Sequence, residues 1–419
     1  MSRPRRPATL PAAAMHVLFL APDTHVYNHG FVRALKALGA RVSAIGLQST
    51  DRLTAAAREL LDAYRTCANV TDAAAMRRVA GELARPGFDR IETIDEPLVE
   101  TCAALREHFG VPGLPLRTAL LCRDKVAMKD FLRQHQVPCA QSASITNLAE
   151  AWSFAERCGY PLIAKPIAGF GSLRTYRCAD RAELERALQQ LAPAPNQRVA
   201  LEEFVEGHEG FFDTMCDADG IRHEFVSHYY PGCLEASLQR WISPQIAVSN
   251  RIEQGGYEEL RAMNRRVIDA LGIRNAATHM EWFFGPKGLK FGEIGARPAG
   301  EKIWDMYGVG NEFDVYLEWA RTLLGKPSAA KPSRRYAVGS IQIRPSQDGR
   351  YVGHRGLEQA WQRCGEWIYE HATPTPGTET KGLDRGWLVN TWFRLRHPDY
   401  DRLRELMTFL GETVRADAR

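Results

Sequence analysis

Three charged residues of this chain stand where charge is costly. Lys165 closes the apolar run PLIAKP, Glu281 lies between Met280 and Trp282 in HMEWFF, and Glu293 follows Phe291 and Gly292 in FGEIGAR. An ammonium or carboxylate left unpaired in an apolar strand costs several kcal/mol, so each must meet an opposite charge. A phosphate would satisfy the lysine. The runs 278–284 and 289–294 flank Gly285, Pro286, Lys287 and Gly288 and read as a hairpin that sets the two glutamates side by side. Neighbouring carboxylates push one pKa upward. A shared magnesium ion would remove the conflict; the alternative is a plain salt bridge from one glutamate to Arg297. Lys125 in RDK, the small-residue loop 168–172 and the acidic strand end LEEFVEG at 201–207 complete an ordered series. Transfer of a phosphoryl group requires parts of this kind: cations around phosphates, a metal on one or two carboxylates, and exclusion of water.

The elements that must position these residues follow from pattern and punctuation. HVLFLA at 16–21 reads as a buried strand, 30–38 as a helix and ARVSAIG at 40–46 as a second strand, the order of a right-handed parallel unit. Its loop lacks GxGxxG, which argues against a nicotinamide site. With a strand at 89–95 and a helix at 98–108, residues 15–115 form a small Rossmann-like domain. Helical spacing over 117–135 stops at Val137-Pro138. Short strands and helices then alternate: helices at 151–158, 181–191 and 257–271, strands at 161–166 and 199–205, a meander at 211–228, and a closing helix at 313–324. This 116–326 module is of α+β character within an α/β chain. The stretch 325–333, rich in Lys, Pro, Ala and Ser, reads as a linker to a third packing domain at 333–415, with a terminal helix from Asp399.

Composition narrows the function. A chain of 419 residues at 45% hydrophobic content can build two or three cores. Arg3, Arg5 and Arg6 account for three of the four net positive charges, so the body is near neutral and lacks the cationic excess of a nucleic-acid binder. Nine scattered cysteines with no CxxC pair indicate reduced thiols and a cytoplasmic location. The start imitates a secretory leader, but Pro11 and His16 interrupt its apolar run. Residues 1–14 are expected as a disordered extension, with Met15 an alternative start. No run of about 18 apolar residues predicts a membrane span.

RDK at 123–125, GYPLIAKPIAGFGS at 159–172, LEEFVEG at 201–207 and THMEWFF through GEIGARPAG at 278–300 together resemble the ATP-grasp superfamily, in the branch of biotin carboxylase and the bacterial dipeptide ligases. The resemblance spans residues 16–415 and rests on the ordered set, not on one element. It implies an amino-terminal parallel-sheet domain, a module that clamps ATP between two sheets, and a carboxy-terminal domain. It further implies Lys125 and Lys165 on the nucleotide phosphates, with Gly169, Gly171 and Ser172 in a mobile phosphate loop. Glu202 to Val205 would be the hinge, with the Glu203 carbonyl and Val205 amide on the adenine edge and Glu209 at the ribose. Glu281 and Glu293 would hold Mg2+, or Mn2+ in its place, and Arg297 the substrate carboxylate or the transferring phosphoryl group. The family commonly reads Glu, any residue, Asn in its last metal motif; Gly295 stands here where the Asn belongs. Glu301 is weighed as a replacement ligand and read as an exposed loop charge.

The function implied is a carboxylate–amine ligase. A substrate carboxylate takes the γ-phosphate of ATP, and an amine then displaces phosphate from the acyl phosphate. A lid at about 142–205 must exclude water from that intermediate. Expected partners are small carboxylate and amine substrates, amino acids foremost, with no nucleic acid and no membrane. A homodimer is the default assembly for an enzyme of this size. Residues 229–241, with Arg240, are weighed as acceptor-site lining against an ordinary loop, and Lys302 and Trp304 stand equally open. The rival readings are a biotin-carboxylase-like subunit, disfavoured because no biotin-acceptor domain follows, and a non-catalytic nucleotide-binding protein, motivated by Gly295.

Overall fold

The computed structural model describes residues 14–25, 28–168, 174–385 and 389–419. All but the last residue of the expected extension, and Gly169, Gly171 and Ser172, lie outside the described residues. The amino-terminal unit is a parallel sheet of β1 (His16–Leu20), β2 (Arg41–Gly46), β3 (Ala63–Thr66) and β4 (Arg90–Glu92) in the order β3-β2-β1-β4. Every residue of β1 is buried, as an apolar parallel strand covered on both faces requires.

A second sheet, antiparallel, holds β5 (Ser142–Ile145), β6 (Leu162–Pro166), β7 (Tyr176–Cys178) and β8 (Val199–Glu203) in the order β5-β8-β6-β7. It occupies the stretch read from sequence as the lid. The third and largest sheet begins with β9 (His208–Cys216), β10 (Ile221–Tyr230), β11 (Gln245–Val248), β12 (Ala276–Gly285) and β13 (Gly288–Gly295). It continues through β14 (Ala337–Ile343), while β15 (Tyr351–Arg355) leaves it to pair with β18 (Arg415–Ala418); β16 (Ile368–Ala372) and β17 (Thr391–His397) complete it. The order is β13-β12-β9-β10-β11-β14-β17-β16. The segment expected as a separate packing domain is thus continuous with the sheet that carries Glu281 and Glu293, joined through the β11–β14 register. The amino-terminal sheet packs on the same body: Phe19 and Phe31 share one core with Phe211, Tyr307 and Trp319.

Three local details set up the site. The single helix expected over 117–135 is two, Leu116–Arg123 and Lys125–Gln134, broken at Asp124. The Asp124 side chain accepts the Val126 and Ala127 amides at 3.1 and 2.9 Å, so it ends one helix and caps the next. Lys125 therefore opens a helix. In the β12–β13 hairpin the register slips between Met280 and Trp282, so Gly292 and Glu293 stand against Glu281, a bulge that leaves both carboxylates on one face. Where the chain passes from β8 to β9 it crosses the hairpin turn so closely that a Cβ on Gly285 would collide with the Glu206 carbonyl.

Removing the Asp124 cap tests the helix break. Asp124→Ala should cost about 1 kcal/mol of stability, read as a lowered denaturation midpoint; an unchanged midpoint would mean that the cap does not hold the break.

Candidate functional site

The second and third sheets face each other across a cavity of about 480 Å³. From one side come Ile163, Lys165 and Pro166 of β6, Thr175 and Arg177 near β7, and Glu202 with the hinge residues Glu203, Phe204 and Val205. From the other come Glu209, Glu281, Phe283 and Glu293, and helix Lys125–Gln134 adds Lys125 and Lys129. Phe283, Phe204, Ile163 and Leu238 add apolar lining to the same cavity.

Those charges alternate in sign. Lys129 Nζ lies 2.6 Å from Glu202, whose other oxygen is 3.0 Å from Lys165 Nζ. Lys165 is in turn 3.8 Å from Glu293 Oε2, and Lys125 approaches the same oxygen at 3.3 Å. Burial raises the Glu202 pKa, but Lys129 and Lys165 outweigh it and hold the carboxyl at about 2. Burial likewise opposes ionisation of Glu293, yet Lys125 and Lys165 keep its pKa below the ordinary value. Against burial, Glu202 and Glu293 hold the Lys165 ammonium charged. Glu281 differs: burial, then the Glu293 and Glu209 carboxylates, push it up to about 8. Glu281 is thus left short of positive charge.

That shortfall is where a cation fits. Two carboxylates offer hard oxygen donors, and magnesium is commonly held by one or two carboxylates with phosphate oxygens and water making up the rest. Among the described residues no group of three or more histidine, cysteine or acidic side chains is placed to hold a metal ion by itself. Glu281 and Glu293 would therefore hold the metal jointly with the nucleotide.

Of the residues singled out in the sequence, Lys125, Lys165, Glu202, Glu203, Val205, Glu209, Glu281 and Glu293 line this one cavity. Glu202 has a different part from the one expected: its side chain is spent on Lys129 and Lys165, so at the hinge only its backbone is left for a base. Glu209 accepts the Cys233 amide through one oxygen at 2.6 Å. Arg297 does not line the cavity. Its Nε is 2.7 Å from Glu96, a residue of the amino-terminal unit that also takes Arg123 at 2.9 Å. The plain salt bridge considered for Arg297 exists, but with Glu96 and not with either hairpin glutamate.

Of the 229–241 stretch, Gly232, Leu234, Glu235, Leu238 and Gln239 reach the cavity, whereas Arg240 pairs with Asp348 and Trp241 is 80% exposed. Lys302 binds Glu370 at 3.2 Å and Trp304 is core. Sequence reading missed Lys129, 1% exposed, although its place four residues after Lys125 puts both ammoniums on one helix face. Glu96 carried no comparable signal.

The stretch of the chain that builds most of this cavity is similar to the ATP-binding domain of a known enzyme family. Residues 124–298 match the family model "Carbamoyl-phosphate synthase L chain, ATP binding domain". Among curated relatives, the L-arginine-specific L-amino acid ligase of Bacillus subtilis is 27% identical over 263 residues, 61% of this chain and 62% of that ligase. The phosphoribosylamine–glycine ligase of Vibrio vulnificus is 30% identical over 35% of this chain and 37% of its own length. The chain thus spans less than two thirds of the curated relatives it matches here. The crystal structure of an L-amino acid ligase from Bacillus licheniformis superimposes with a TM-score of 0.76 at 18% identity, covering 97% of this chain and 99% of the other. Among the described residues no helix is long and apolar enough to cross a membrane.

Lys129→Met keeps the packing volume but removes one of the two cations on Glu202, which then draws Lys165 away from the cavity. A hydrogen bond to a charged group contributes about 1.5–3 kcal/mol, so the Kd for ATP by calorimetry should rise about tenfold or more. An unchanged Kd would remove Lys129 from the phosphate site.

Proposed function

We propose that this protein is an ATP-dependent carboxylate–amine ligase that forms an amide bond through an acyl phosphate, with release of ADP and phosphate. The observation that carries the reading is the gathering of Lys125, Lys129 and Lys165 with Glu281 and Glu293 in one cavity that Ile163, Phe204 and Phe283 also line. The base would lie between Ile163 and Phe283, with its edge on the backbone of Glu203 and Val205. The phosphates would then reach Lys125 and Lys165.

In the first step a carboxylate oxygen of the acid substrate attacks the γ-phosphorus and ADP leaves. Negative charge grows on the leaving and transferring oxygens, and oriented ammoniums stabilise it. Glu281 and Glu293 would hold magnesium, which when bound would supply further charge neutralisation at the transferring phosphoryl group. In the second step an amine attacks the acyl carbon and phosphate departs. The sheet of β5, β8, β6 and β7 would be the lid that keeps water from the intermediate. Likeness to amino acid ligases supports amino acids as both substrates. The nine cysteines, all free and mostly buried, support a reducing, cytoplasmic setting.

The direct test is phosphate release from ATP and magnesium with pooled amino acids and small acids, followed by mass analysis of new amides. A new amide that appears with stoichiometric phosphate is the expected result; ATP binding without ADP release across the whole pool would contradict the reading. Two variants probe the roles. Glu293→Ala should abolish ADP formation while the fold is kept, and full turnover would refute the metal assignment. Lys165→Ala should slow turnover about a hundredfold or more, whereas wild-type rate and ATP affinity would count against a phosphate contact.

A further inference from the structure

The wall of the cavity built by β6, β7 and β8 holds a cation that the phosphate site does not use. β6 pairs with β8 on one side and β7 on the other, and the register sets Glu202, Ile163 and Arg177 in one rung across the three strands. Residues directly opposite in antiparallel strands share a face, and all three line the cavity. Lys165 follows two residues along β6, about 7 Å from Ile163. The hinge lies in the other direction: the Phe204 amide donates to the Pro161 carbonyl at 3.2 Å, two residues before Ile163. Along β6 the order is therefore hinge, then Ile163 with Arg177, then Lys165.

Arg177 leans toward the hinge. Its guanidinium carbon is 4.8 Å from the centroid of the Phe204 ring, and among the described residues it makes no ion pair or hydrogen bond. The three lysines of the cavity differ: Lys125, Lys129 and Lys165 are each tied to Glu202 or Glu293. Glu203, the carboxylate next to Phe204, is already held by Lys287 and accepts the Gln141 amide at 3.2 Å. Arg177 is thus an uncommitted planar cation on the cavity face, resting on an aromatic ring. A guanidinium stacks in the same way on a phenyl ring and on a nucleobase. A base between Ile163 and Phe283 would be covered on its β6 side by Ile163 and, one strand over, by Arg177. Neighbouring strands are about 4.8 Å apart, a span that the fused rings of a purine cover and the single ring of a pyrimidine does not.

We propose that Arg177 determines nucleobase specificity by stacking on the second ring of a purine; the inference rests on the nucleotide placement in the ligase reading above. Without nucleotide the guanidinium rests on Phe204. With ATP bound it lies on the base beside Ile163, at the hinge end of the wall and one rung away from Lys165. Arg177 then reads the size of the base, while the Glu203 and Val205 backbone reads its edge. The triphosphate is held without this residue.

The test is calorimetric titration of the full-length protein with ATP and with CTP in the presence of magnesium. The two nucleotides carry the same triphosphate, so the ratio of their Kd values isolates the base. Wild-type protein should prefer ATP. Arg177→Met keeps an unbranched side chain against Phe204 but removes the charge and the plane. In that variant the Kd for ATP should rise about tenfold, the scale of one cation–π contact. The Kd for CTP should move far less, so that the preference for ATP shrinks. Arg177→Lys, which keeps the charge without the plane, should fall between the two. Equal weakening of ATP and CTP would place Arg177 on the phosphates and overturn the inference, and so would an unchanged Kd for ATP or a wild-type protein that does not distinguish the two nucleotides. Wild-type protein that binds neither would instead refute the nucleotide placement from which the inference starts.

Discussion

Buried charge must be balanced locally, and the clamped cavity is organised around that requirement. Lys129, Glu202, Lys165, Glu293 and Lys125 form an alternating row with neighbouring contacts between 2.6 and 3.8 Å. In a low-dielectric interior each member is tolerable only because the next one is present. Glu281 stands beside this row without a cation of its own. Phosphate oxygens arriving on Lys125 and Lys165 would loosen their hold on Glu293, and a divalent ion could then neutralise both glutamates together. In this view the resting site is a set of provisional pairs that nucleotide and metal exchange for their own.

The three sheets divide the work. The small antiparallel sheet carries Lys165 and Glu202 and lies over the cavity; the eight-stranded sheet carries Glu209, Glu281 and Glu293 beneath it. Strands from the carboxy-terminal segment extend the lower sheet by direct hydrogen bonding, so the hairpin of Glu281 and Glu293 lies at one edge of an eight-stranded surface. The amino-terminal unit meets the chain just after the Glu281–Glu293 hairpin. Its Glu96 grips Arg123 and Arg297 together and reaches the space left by Gly295. A departure from the family pattern that looked like a missing ligand thus coincides with an added contact from another part of the chain.

The parts of this site that the sequence made legible are those where chemistry contradicts local pattern. Lys165 at the end of an apolar strand and glutamates inside a strand hairpin announce a partner because burial would otherwise be prohibitive. Lys129 violated no pattern: on an amphipathic helix a lysine reads as surface, and only its i,i+4 relation to Lys125 marked it. Glu202 was legible as a site residue but not in its role, since the ammoniums it bridges lie 73 and 37 positions away along the chain. The Glu96–Arg297 pair joins residues 201 positions apart, and no local propensity encodes such a contact. The helix break at Asp124 was missed because apolar spacing runs through it unbroken; the cap that causes it is a side-chain hydrogen bond, visible only as an aspartate in a helical run.

The most direct measurement is anomalous diffraction at the manganese edge from crystals grown with Mn2+ and a non-hydrolysable ATP analogue. The expected result is a manganese ion within coordinating distance of both Glu281 and Glu293 and of the terminal phosphates, with Lys165 on a phosphate oxygen. A manganese ion bound elsewhere, or phosphates that lie away from Lys125 and Lys165, would contradict the exchange of charge partners on which this site is understood.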